Sequence, residues 1–130
     1  AYEILSGLVG SEMCIRDRTN TLGNIALFFP LGACLVVMGQ HSRHVRFGRG
    51  GTILLAMALS LGIETTQYVF SLGFSDVDDV VFNTLGASLG AFLVSRKSAQ
   101  AQLRAVRAIG WMAALGLGAL AAAIVAGVIV

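Results

Sequence analysis

The side chains that could do chemistry in this chain are few: Asn24, Ser60, Glu64, Gln67, Asp76, Asp78, Asp79 and Asn83. The three aspartates stand in "GFSDVDDVVFNTLGASLG", residues 73–90, at the threshold of an apolar run. Asn83 follows one turn inside that run. Clustered carboxylates supply hard oxygen ligands suited to Mg²⁺ or Ca²⁺, and they can also grip an amine. Ser60, Glu64 and Gln67 recur at i, i+4 and i+7, which is one stripe of a helix. Asp76, Asp79, Asn83, Gly86 and Gly90 do the same if their helix already includes Asp76. Simpler roles stand beside these. Residues 75–78, "SDVD", fit a capping box, and acids favour a helix N-terminus. Three carboxylates in four residues repel one another, however, and exceed what one cap requires. Asn24 and Asn83 serve equally well as hydrogen-bonding glue between helices.

The elements that must position these groups are membrane helices. The chain has 130 residues, of which 56% are hydrophobic and 12% charged, and its mean hydropathy is +0.81. A soluble domain of this length needs more polar surface. The apolar residues also fall in long blocks, so the expected fold is all-α, a polytopic transmembrane bundle of about four helices. A crossing helix takes roughly 20 apolar residues, which places spans at 20–39, 52–72, 77–94 and 108–130.

Beyond residue 18, every Lys and Arg lies in two stretches, 40–51 and 95–107. Four alternating helices put both stretches on one side, which the positive-inside rule makes the cytoplasm. The acidic turn 73–79 is then extracytoplasmic. Counting at about 1.5 Å per residue, Asn24 lies roughly 5 Å below the outer boundary, Gln67 about 8 Å and Glu64 about 12 Å. Asn83 lies about 6 Å below Asp79. Asn24, Gln67 and Asn83 come out nearly level on three helices, with Glu64 one turn deeper and the aspartates as a rim. The expectation is one acidic pocket inside the bundle, open to the outside. An acid as deep as Glu64 is expensive in a span and marks it as the foremost functional candidate.

Small residues supply the packing. Gly86 and Gly90 form a GxxxG, and Gly110, Ala114, Gly118, Ala122 and Ala126 share one face of the last span, a spacing that lets helices approach closely in lipid. Pro30 is expected to kink the first helix, and Tyr68 and Trp111 to anchor span ends at the interface. His41 and His44 read as solvated, and no Cys/His spacing suggests zinc. Residues 1–18 differ: "SEMCIRDR" resembles translated sequencing-adaptor read-through, so this segment is expected to be a non-native leader, a genuine amphipathic segment being the alternative. A first span lost upstream follows from that reading. Removing the leader leaves Cys34 as the one thiol.

Three blocks in order resemble the VanZ-like family of small bacterial membrane proteins: "NIALFFPLG" (residues 24–32), "SLGIETTQ" (60–67) and "DVDDVVFNTLGASLG" (76–90). The resemblance covers about residues 24–94. Phe74 stands where the family often has an arginine. The resemblance implies a link to lowered sensitivity to teicoplanin, a lipid-tailed glycopeptide. It directs attention to a lipid-linked envelope precursor or lipoglycopeptide, bound or processed at the pocket. A membrane enzyme with carboxylates in acid–base roles and a proton- or cation-coupled transporter remain as alternatives, as do helix glue in a larger complex and oligomerisation. No cofactor is expected beyond a divalent cation at the aspartates. The basic stretches are short and lack interleaved aromatics, which argues against nucleic acid.

Overall fold

The computed structural model describes residues 2–71 and 77–127, with side chains from Arg18 onward. Asp76, and with it the first half of the capping reading at 75–78, lies outside the described residues, as do the side chains of the segment expected to be a leader. Four helices follow in order: α1 (Tyr2–His41), α2 (Arg49–Val69), α3 (Val77–Ser95) and α4 (Ala99–Val125). Each contains a stretch long and apolar enough to cross a membrane: Arg18–His41, Arg49–Val69, Val77–Ser95 and Ala99–Val125. The protein is a multi-pass, all-helical membrane protein.

The fourth helix begins ahead of the apolar run expected to span from 108. The stretch 95–107 is a loop only over its first residues, because α4 starts at Ala99. Ser98 caps it, its side chain accepting a bond from the Ala101 amide, and Ala, Gln, Leu and Arg then continue it as strong helix formers. The basic stretch 40–51 is likewise shortened, since α2 starts at Arg49. Pro30 lies inside α1. At the other end of α2 the Phe70 amide still bonds Thr66, and Ser71 leaves the helix with φ 51°.

Packing is inverted relative to a soluble protein. The buried residues of α2 are Thr52, Ala56, Ser60 and Glu64, one residue per turn and none of them large and apolar. Leu54, Leu55, Leu59, Leu61 and Ile63 point outward. Lipid is as apolar as leucine, so large side chains gain nothing by leaving it, and close contact between small residues holds the helices together. The interface of α3 follows the same rule with Asn83, Gly86, Ala87, Gly90 and Ala91. Added Cβ atoms at Gly86 and Gly90 would strike the backbone of Ile25 and Phe29, and one at Gly32 would strike Ala87. Here α1 and α3 touch backbone to backbone.

These contacts also set the directions. Gly86 meets Ile25 and Gly90 meets Phe29, so α1 and α3 run parallel. Asn83 bonds Ser60, and Ala87 packs with Ala56 and Phe28, so α2 runs antiparallel to them, alongside α3. The basic stretches therefore share one end. There Gln102 joins the elements, donating from Nε2 to Gln40 Oε1 at 3.2 Å and to the Lys97 carbonyl at 3.2 Å. Beyond Val106, which packs on Val36, Val37 and Ala91, α4 leaves the bundle. Its glycines Gly110, Gly116 and Gly118 have nothing within 4 Å of a Cβ position. The small-residue face expected to pack closely meets no other part of the described chain.

Candidate functional site

The polar residues lie on the seam where α2 and α3 meet, with α1 closing its outer end. Asn24 on α1 donates from Nδ2 to Asp79 Oδ1 at 2.7 Å, spanning 55 positions of sequence. Asp79 is in the first turn of α3 and half-buried. One turn further in, Asn83 donates from Nδ2 to Ser60 Oγ at 2.8 Å. Ser60 is fully buried, Asn83 is 5% exposed and Glu64 is 7% exposed. Glu64 stands one turn from Ser60 along the buried stripe of α2. The chain therefore encloses an acid, an amide and a hydroxyl at adjacent levels between two helices.

Asn83 is left with one unmet requirement. Its Oδ1 is buried and has no hydrogen-bond partner. A buried amide oxygen without a donor costs on the order of 1–3 kcal/mol, so this oxygen has room for one. Such an arrangement receives a donor, namely an amine, a hydroxyl or a protonated group. The amide–hydroxyl bond beside it contributes roughly 0.6 kcal/mol by the average for interhelical bonds in lipid.

Not every expected residue joins the seam. Asn83 lies opposite Ser60, well inside the level of Gln67, so Asn24, Gln67 and Asn83 do not form one layer. Gln67 is half-buried and lines a shallow apolar groove on the outer side of α2, with Leu55, Leu59, Ile63 and Thr66. It thus belongs to the stripe of Glu64 and to the lipid-facing surface at once. Asp78 is exposed. Among the described residues no group of three or more His, Cys, Asp or Glu could hold a metal ion, and Asp76 lies outside those residues. His41 sits with its Nδ1 3.0 Å from the Val37 carbonyl. Cys34 is free and half-buried.

Sequence reasoning missed two features at the basic end. Gln102 is buried within a stretch read as a loop. Arg49 and Arg96 both stack on the ring of Phe92, their guanidinium carbons 5.6 and 3.8 Å from its centroid. The Phe92–Arg96 spacing of four was a legible signal, whereas Arg49 is brought there only by the antiparallel packing of α2.

Comparison with known proteins places this geometry in context. The profile of the family described as VanZ/LLP1 matches residues 2–100. Protein VanZ from Enterococcus faecium is 32% identical over 72 residues, which is 53% of this chain and 40% of that protein. The chain thus spans less than half the length of this relative. No solved structure matches the chain.

Proposed function

The chain belongs to the VanZ/LLP1 family, and from that premise we propose that it acts on a lipid-linked molecule of the cell envelope or on a lipoglycopeptide, as a teicoplanin-type resistance protein. The seam of Glu64, Asn83, Ser60, Asp79 and Asn24 is the part that receives the polar head. The observation that carries this reading is the buried, donor-less Oδ1 of Asn83 one level from a buried acid. Acceptors gathered inside a membrane span suit a ligand that brings protons or positive charge, such as an amine. The apolar groove reaching Gln67 offers the adjoining surface for an acyl tail. An amine-bearing, lipid-tailed molecule fits both halves.

Expression of the chain in a teicoplanin-sensitive bacterium is expected to raise the inhibitory concentration of teicoplanin several-fold. A glycopeptide without an acyl tail should show no change. Equal protection against both would remove the tail from the account, and protection against neither would overturn the proposal.

The reading also requires the seam to open outward, with the acidic turn 73–79 outside and the basic stretches 40–51 and 95–107 in the cytoplasm, as their charge favours. Single cysteines placed at the exposed Val77 and Val45, in a chain with Cys14 and Cys34 replaced by serine, test it. An impermeant maleimide added to intact cells should label Val77→Cys and spare Val45→Cys. The reverse pattern would turn the seam towards the cytoplasm and end the proposal.

A further inference from the structure

The end of the bundle opposite the polar seam carries a second recognition feature. Arg43, Arg46, Arg49, Arg96, Lys97, Arg104 and Arg107 gather there, and the sequence holds no Asp or Glu from 18 to 63 or beyond 79. Arg49 opens α2 and Arg96 directly follows the last residue of α3. Both guanidinium groups are drawn to one ring, that of Phe92, at 5.6 and 3.8 Å. Each cation–π contact is worth about 0.5–1 kcal/mol at an exposed site, while two like charges on one ring repel. An anion that both guanidinium groups reach offsets that repulsion. The guanidinium fork matches phosphate oxygens two at a time.

We propose that Arg49 and Arg96, held against Phe92, bind the phosphate of an anionic phospholipid in the adjoining leaflet. The proposal is independent of the function assigned to the seam. Three features favour a membrane lipid over a dissolved phosphate. Phe92 lies one turn from the end of a helix long and apolar enough to cross a membrane, towards the interface and not the middle of the span. Leu89 and Leu93 beside it are 43% and 49% exposed, giving an acyl chain a surface to follow. The first turn of α2 also has no side-chain cap and no acid, which leaves the positive end of its dipole to an anion. Anionic lipid attracts each cation near the surface, but two guanidinium groups fixed on one ring make a site and not merely a field.

The test uses the full chain in nanodiscs of phosphatidylcholine containing phosphatidylglycerol, with retained lipid counted by native mass spectrometry after extraction. The wild type should keep phosphatidylglycerol in preference to phosphatidylcholine. Arg49→Gln and Arg96→Gln should each lower that retention about tenfold, the loss expected for one charge-assisted hydrogen bond to phosphate. Arg104→Gln, which removes the same charge from an exposed position on α4, should leave it nearly unchanged. Phe92→Leu should reduce retention without altering charge. An equal loss in Arg104→Gln would reduce the site to diffuse attraction and overturn it, as would full retention in Phe92→Leu. Displacement of the lipid by millimolar inorganic phosphate would assign the site to a soluble anion instead.

Discussion

Glu64→Gln is expected to abolish protection against teicoplanin while leaving a folded, membrane-inserted chain. The replacement has nearly the same shape and keeps an acceptor, so the packing of α2 on α3 has no reason to change. What disappears is the carboxylate, the group able to hold a proton or answer a cation. Removing one member of a buried, partnered set costs stability, so abundance and thermal melting are measured beside protection. Loss of protection at unaltered abundance and melting would separate function from folding. Full protection by Glu64→Gln would make the seam helix glue and remove its proposed role. The test bears on this residue above all because Glu64 is 7% exposed within a span, where an acid kept only for packing is hard to justify.

The second large effect falls on stability. At Gly90 an added Cβ would meet the Phe29 carbonyl and the Ala33 amide nitrogen, and at Gly86 it would meet Ile25. These are backbone atoms and have no rotamer by which to yield. Gly90→Leu must force α1 and α3 apart along their whole contact. A loss of about 3 kcal/mol or more is expected, at the upper end of overpacking penalties. Gly116→Leu on α4, where nothing stands within 4 Å, should stay within about 0.5 kcal/mol of wild type. Equilibrium unfolding of the two variants in one detergent makes the comparison. Equal tolerance at both positions would mean that the α1–α3 contact is not what holds the bundle.

Much of this architecture is legible in the sequence because lipid imposes a coarse rule. Length and apolarity suffice for the four crossings, and the i, i+4 spacing of Ser60 and Glu64 is enough to put both on the buried side of α2. Where the reading went astray, the deciding contact was tertiary. The helix that carries the last span starts at Ala99, ahead of the apolar run, because Ser98 and the helix formers after it begin α4 there; transfer into lipid and helix formation are different preferences. Asn83 was assigned the level of Gln67 by counting from span ends. Its level is set instead by how far α3 slides before Gly86 and Gly90 seat on Ile25 and Phe29, and it bonds Ser60. The glycines of α3 and the small residues of α4 recur at the same four-residue spacing, yet only the former find a close neighbour within the described chain. Spacing announces a close approach without naming the partner.

The way α4 leaves the bundle has an evolutionary consequence. The family match ends at residue 100, where this helix begins. From Gly110 onward its side chains face away from α1, α2 and α3 almost without exception. Mutations there are screened by the bilayer for greasiness and length and by nothing in the neighbouring helices, so α4 can drift, be exchanged or acquire a new ally while the three-helix unit stays as it is. Innovation in a protein built this way has a natural place to begin, and it lies away from the chemistry that the seam would demand.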